Sequence, residues 1–324
     1  MGQYLSQPST EKESEEGYAD ALAYGLSAMQ GWRVSMEDAH IAELDLDPAT
    51  KTSLFSVFDG HGGRAVSQFC AMHLAEEFVR SEAYRRGDLA TAITEAYFRL
   101  DELLDSEEGR AELRRLSGEM TASADMAKAV VANGGSGSTG EEEEEEHHAA
   151  GMGATAVSVV VRGNRVVVAN TGDSRCVLSK RGQARALTLD HKPILFEEAK
   201  RIIKAGGFVR DNRINGALNV SRTIGDLDFK RNAELSHREQ MVVATPDIEQ
   251  FSLEEGDEFL IVACDGIWDV LTNQEAVDFV RKRLKAGESL KSICEQMCDA
   301  CLAPDLKGLC RGADNMSVIV LLFK

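Results

Sequence analysis

The chain has 324 residues, 43% hydrophobic and 6% aromatic, with a formal net charge of -18 at pH 7. That is enough apolar text for a sizeable core, and so acidic a surface repels nucleic acid and anionic lipid head groups, which argues against nucleic acid as a partner. Seven cysteines, an odd number, without a secretory leader, suit a reducing compartment, and no apolar run approaches the roughly 18 residues that span a bilayer.

In chain order, residues 1–20 are polar and charged and read as a flexible N-terminal arm. Their start, MGQYLSQPST, matches the N-myristoylation pattern through Gly2 and Ser6. One acyl chain binds membranes only marginally, so membrane contact is expected only with Gly2 acylated. Residues 22–59 are strand-like, with YGLSAMQG and then SLFSVFDG. Residues 65–80 and 88–105 carry helical periodicity, the second through Leu89, Ile93, Ala96, Tyr97, Leu100, Leu103 and Leu104. The text then changes: residues 117–150 hold small residues, NGGSGSTG, six glutamates at 141–146, and His147–His148. Gly/Ser-rich text followed by a like-charge block reads as a disordered acidic insertion, either a solvated spacer or a docking surface for basic substrates.

Order returns at Thr155, where AVSVVV, RGNR, VVVANTGDSR and CVLSKRG predict a β-meander. LFEEAKRIIKAGG predicts a helix closed by Gly206–Gly207. Residues 208–240 are irregular and polar and read as a surface flap. MVVATPDIEQFSL, EFLIVACDG and NMSVIVLLF are strands, and NQEAVDFVRKRLKAG is a helix. Leu290, Ile293, Cys294, Met297, Cys298, Cys301 and Leu302 mark one helical stripe, so the C-x-x-C at Cys298 and Cys301, with Cys294 and Cys310 nearby, reads as core rather than a zinc site. Consecutive strands with helices in separate blocks argue an α+β fold, sheet packed on sheet with helices outside, in a single domain spanning 21–324.

The residues that carry chemistry stand at strand ends. The run SLFSVF stops at Asp59, His61 and three glycines; LIVACDG ends on Asp265 and Gly266; Asp314 precedes the last strand; Glu37–Asp38 and Asp173 lie between strands. Each acid alone could be a turn or cap residue. Together, carboxylates converging from several strand ends need a counter-charge, and hard divalent cations prefer such oxygen donors. Glycines at 60, 62 and 63 permit tight turns and close backbone approach, so the Gly60 carbonyl could also ligate. His61, beside oxygen ligands, is better suited to donate a proton near neutral pH.

In order, RVSMEDAH, VFDGHGG, GDSR, DHKP, NGALNVSRTIGD, ACDGIWD and DNMSV resemble the metal-dependent type 2C Ser/Thr protein phosphatases, from about Tyr24 to Phe323. The start and the acidic insertion look most like the gamma-type member of that family. The resemblance implies a sandwich of two antiparallel β-sheets flanked by α-helices on both outer faces, with two Mg2+ or Mn2+ ions. It implies that Asp59 bridges both ions, that Asp265 and Asp314 hold the first, and that Glu37 and the Gly60 carbonyl hold the second. Asp38 matches a supporting acid, Asp173 a weaker third metal position shared with Asp265, and Arg33 the phosphate-binding arginine. The implied reaction is hydrolysis of phosphoserine and phosphothreonine in proteins by metal-activated water, without a phospho-enzyme, with His61 protonating the leaving alkoxide. The insertion is short for the gamma type and no basic tail follows the last strand, so a cytoplasmic location is expected, with a nuclear one open to the family but unsupported by a basic tail; a monomer is expected. The rivals are a binding-only scaffold, which has no need of this whole set; a two-metal phosphodiesterase or nuclease, which the acidic surface disfavours; and a glycosidase, disfavoured by too many clustered carboxylates and scarce aromatics.

Overall fold

The computed structural model describes residues 4–118, 151–307 and 311–324. Its elements run β1 (Tyr4–Tyr18), β2 (Leu22–Arg33), β3 (Ala39–Asp47), β4 (Thr52–Phe58), β5 (Gly60–His61), α1 (Ala65–Arg80), α2 (Glu82–Arg85), α3 (Leu89–Asp105) and α4 (Glu107–Ser117). They continue with β6 (Gly153–Ala154), β7 (Ala156–Arg162), β8 (Arg165–Thr171), β9 (Arg175–Lys180), β10 (Gln183–Ala186), α5 (Phe196–Lys204), β11 (Val209–Arg210), β12 (Arg213–Ile214) and β13 (Ile224–Gly225). The chain closes with β14 (Asp247–Ser252), β15 (Asp257–Ala263), α6 (Asp265–Trp268), α7 (Asn273–Lys285), α8 (Leu290–Cys301) and β16 (Met316–Phe323).

Two antiparallel sheets carry the architecture. One is ordered β1-β2-β16-β15-β9-β10 and the other β14-β8-β7-β4-β3, with small sheets β13-β6-β5 and β11-β12 beside them. Alternation along each central strand explains the layers. In β15, Leu260 and Val262 point into the core between the sheets, where they meet Phe55, Val57, Val157 and Val159. Phe259 and Ile261 of the same strand point outward under α7 and α8, among Val277, Val280, Ile293 and Met297. On the opposite side, Leu54 and Phe58 of β4 face α1 and α3, among Phe69, Leu74, Ile93 and Tyr97. Both faces of the inner strands are therefore covered, so their text is a continuous apolar run. Each large side chain so buried contributes roughly 1.5–3 kcal/mol. The α+β sandwich with helices on both outer faces is the expected fold, and the α8 stripe, including Cys294, Cys298 and Cys301, is buried core. Cys310 lies outside the described residues. No helix among the described residues is long and apolar enough to cross a membrane.

Three expectations need correction. The N-terminal arm is largely a strand: Tyr4–Tyr18 pairs antiparallel along β2 at the sheet edge, with register shifts on either side of Ser9. Its polar text hid it, because an edge strand can be held by polar contacts. Lys12 pairs with Asp299 at 2.6 Å, Glu15 accepts from the Tyr24 hydroxyl at 3.1 Å, and Glu16 accepts from the Lys291 amide at 3.1 Å. The meander is also split: β7 and β8 belong to one sheet and β9 to the other, so the chain changes sheets at Gly172–Ser174. Finally, residues 208–240 are not merely irregular. They contain three short strands, and Ile214, Leu218 and Val220 close a small core with Ile202 and Val242. Of the 117–150 insertion, residues 119–150 lie outside the described residues.

A buried ion network ties this region to the sandwich. Glu198 of α5 accepts from Arg201 (2.7 Å), from Ser221 Oγ (2.7 Å), and from Nε and Nη2 of Arg222 (3.1 and 2.6 Å), while Arg222 Nη1 reaches Asp247 at 2.8 Å. Burial alone would raise the Glu198 pKa, but the two guanidiniums and Ser221 outweigh it and hold the carboxyl down at about 2, against an ordinary 4.5. A depressed carboxyl stabilises the fold above its unfolded pKa, and that stability is lost as pH falls towards the folded value. The contribution is about 3 kcal/mol at neutral pH, at 1.36 kcal/mol per unit. Melting temperatures from pH 7 down to pH 3 should therefore fall more steeply for wild type than for Glu198→Gln. Parallel curves would show that this carboxylate is not the group lost on acidification.

Candidate metal centre and phosphate pocket

The site sits where chain segments leave or cross between the two sheets. Arg33 ends β2, and residues 34–38 carry Glu37 and Asp38 across to β3. Asp59 follows β4, Asp173 lies in the β8–β9 crossover, Asp265 follows β15, and Asp314 precedes β16. These turns bring Arg33, Glu37, Asp59, Gly60, His61, Asp173, Asp265 and Asp314 onto one cavity of about 290 Å³. Asp38 lies just behind it, its ligand oxygen within 4.8 Å of those of Asp59 and the Cys264 sulfur.

Close backbone approach explains the glycines. A Cβ on residue 60 would meet the Glu37 carbonyl, and one on residue 266 would run into the carbonyl oxygen of Asn315. Gly62 and Gly63 have φ of +74° and +132°, which other residues rarely adopt. Glu37 is held by its surroundings: Ser35 Oγ donates to its Oε1 at 2.7 Å, the Gly63 amide to its Oε2 at 3.3 Å, and Ser67 Oγ to its carbonyl. Ser317 Oγ donates to Asp38 at 2.7 Å. Arg33 Nη2 donates to Asp314 Oδ2 at 2.6 Å, while its Nε is buried without a hydrogen-bond partner.

The charges in this cavity do not balance by themselves. Burial, then repulsion from Asp265 and Asp38, pushes Asp59 well above the ordinary carboxylate range. Burial, then Asp173 and Asp314, does the same to Asp265, and burial lifts Asp38 to about 7. Carboxylates gathered so closely ionise together only beside added positive charge. Among the described residues two cations pair directly with acids here, Arg33 with Asp314 and Lys192, whose ammonium touches Asp173. Arg33 acts on Asp38 and Lys192 on Asp265 only at a distance, too weakly to offset burial and the neighbouring acids. An all-oxygen set of buried carboxylates with an adjacent carbonyl is the donor chemistry of Mg2+ or Mn2+, so these residues fit such ions. Cys264 does not join them: burial pushes its thiol far up, and its sulfur accepts from the Ser317 amide at 3.2 Å.

A family model described as protein phosphatase 2C matches residues 22–308. The chain belongs to the protein phosphatase 2C family. Among its relatives, probable protein phosphatase 2C 58 of Oryza sativa subsp. japonica is 48% identical across 100% of this chain and 90% of its own length. Probable protein phosphatase 2C 21 of Arabidopsis thaliana is 46% identical across 100% and 93%. A crystal structure of a phosphatase from a pathogenic strain of Toxoplasma gondii matches with a TM-score of 0.71 at 24% identity, over 97% of this chain and 96% of that one. At that identity the likeness carries the fold alone.

Two residues of this type 2C phosphatase were not singled out from its sequence. Asp226, buried and in the left-handed region at φ 51°, accepts from Thr223 Oγ at 2.7 Å and stands 2.8 Å from His61 Nε2. Burial alone would depress the imidazole pKa, but Asp226 outweighs it and raises it. A Cβ on Gly153 would collide with this pair, so the chain is pared to backbone there. Asn315 is the second. Its Oδ1 accepts from the Glu37 amide at 2.9 Å, and its Nδ2 donates to the carbonyls of Gln30 and Ser35 at 2.8 and 3.0 Å, pinning the β2–β3 crossover to β16. The signals were present: Asp226 follows a glycine as Asp173 does, and Asn315 adjoins Asp314.

Proposed function

We infer that the chain is a metal-dependent protein serine/threonine phosphatase, carried by one observation: the acids Glu37, Asp59, Asp265 and Asp314 share a single cavity with Arg33 and His61. Asp59, Asp265, Asp314, Glu37 and the Gly60 carbonyl would hold two Mg2+ or Mn2+ ions. Bound there, such ions neutralise the carboxylates, polarise a phosphoryl group and lower the pKa of water. The chain's own groups do the rest. Arg33, anchored through Nη2 on Asp314, keeps its remaining N–H donors for phosphate oxygens, and its planar fork suits two of them. Asp226 takes His61 Nε2, so the N–H left for the departing alkoxide of serine or threonine is on Nδ1. Asp38, hydrogen-bonded to Ser317, supports Asp59 from behind. Asp173 is already paired with Lys192, which supports the reading that any third cation at Asp173 and Asp265 binds more weakly.

On sequence alone we further propose a gamma-type member, monomeric and cytoplasmic, whose glutamates at 141–146 favour basic phosphoproteins and whose Gly2, when acylated, gives peripheral membrane contact. Both segments lie outside the described residues. The central reading is tested by release of inorganic phosphate from a phosphothreonine peptide by metal-stripped protein, with and without Mn2+ or Mg2+. Turnover is expected only with the cation. A folded, cation-loaded protein that binds the peptide without releasing phosphate would instead be a scaffold.

A further inference from the structure

Four neutral polar side chains line the catalytic cavity: Ser35, Thr155, Asn219 and Asn315. Three are committed within the protein. Ser35 donates to Glu37, Thr155 pairs with Ser174 at 2.9 Å, and Asn315 makes the contacts described above. Asn219 is different, since its amide has no hydrogen-bond partner among the described residues.

It is nevertheless not on a loose loop. Its neighbours Leu218 and Val220 are 9% and 4% exposed and belong to the small core around Ile202, whereas Asn219 itself is exposed. The Leu218 carbonyl accepts from the Ile214 amide at 2.8 Å, and the Ser221 amide donates to the His191 carbonyl at 3.1 Å. Arg201 holds the Ser221 carbonyl at 2.5 Å, and Arg222 is locked on Glu198 and Asp247. The segment is clamped on both sides, and one unpaired amide is left at the rim of the cavity.

Resting on the phosphatase reading, we infer that Asn219 is a specificity-determining residue that hydrogen-bonds the substrate main chain beside the phosphorylated residue. A side-chain amide offers two donors and an acceptor, the complement of a peptide group, and carries no charge with which to offset a phosphate dianion. Serine and threonine have short side chains, so a phosphate seated at Arg33 brings the substrate backbone down to the rim. The ligand class is therefore an extended phosphoserine or phosphothreonine peptide, whose main-chain amides are what Asn219 reads at this rim.

The test compares a phosphothreonine peptide with analogues in which each flanking amide is replaced in turn by an ester, using wild type and Asn219→Ala. For wild type, one ester should lower kcat/KM roughly fivefold to tenfold, mainly through KM. Asn219→Ala should show a similar loss on the parent peptide and no further loss on that ester. Equal ester penalties in both proteins, or none in wild type, would overturn the assignment while leaving the phosphatase reading intact. Absence of phosphate release from every peptide by cation-loaded wild type would strike that reading itself, and this one with it.

Discussion

Asp265→Asn is expected to abolish cation-dependent phosphate release, by at least about a thousandfold, while leaving the protein folded. Asp265 leaves β15 at the first residue of α6, so its backbone is fixed by the sheet, and Gly266 packs directly against the Asn315 carbonyl. Burial and the neighbouring acids Asp173 and Asp314 raise its pKa well above 3.8, so in the metal-free protein its charge is unfavourable. The sign follows from linkage. A carboxyl whose folded pKa is raised costs stability as pH climbs from about 4, because the unfolded chain loses that proton first. Asparagine removes the charge and the cost together. Metal-free Asp265→Asn should then melt no lower than metal-free wild type at pH 7, yet lose the upward shift that Mn2+ gives wild type. Removing several kcal/mol of cation-mediated charge stabilisation accounts for the rate, at 1.36 kcal/mol per decade. A variant that kept its Mn2+ shift and its turnover would remove Asp265 from the ligand set.

The second large effect belongs to the His61–Asp226 pair. His61→Ala should lower kcat on a phosphothreonine peptide by about 10² to 10⁴, the usual reach of a positioned general acid. Asp226→Asn should cost less, about tenfold to a hundredfold, as expected for one charge-assisted hydrogen bond. Both losses should fall on kcat rather than KM. Both should also shrink on an aryl phosphate, whose leaving group departs without a proton. Asp226 is buried and held by Thr223 as well as His61, so a purely structural role would lower turnover of both substrates alike. Equal losses would therefore discard proton supply as the function of this pair.

Much of the site was legible because metal-binding chemistry leaves local marks. An apolar strand that stops at an acid and a glycine records both the burial of the strand and the close approach at its end. The pattern marked Asp59 and Asp265, and the acids at Glu37, Asp38, Asp173 and Asp314 fell at similar boundaries; the structure gathers all of them at one cavity, with Asp38 just behind it. The α8 stripe was legible for a similar reason, since Cys294, Cys298 and Cys301 repeat at the helical period and so share one buried face.

What one residue's neighbours in sequence cannot encode is its partner in space. The polar run Tyr4–Tyr18 becomes a strand because β2 offers it an open edge, and nothing in its own alternation demands that. Thr171 and Arg175 are four residues apart yet end and begin strands of different sheets, because the crossover at Gly172–Ser174 turns between two layers. Asp226 reaches His61 across 165 positions, and Asn315 reaches Glu37 across 278. By itself the sequence determined which strands are buried, which acids end them, and hence that a divalent cation belongs among them. Tertiary structure alone decided which acids face an arginine, a lysine or a histidine, because charge pairing depends on distance in space and burial, and long-range packing sets both.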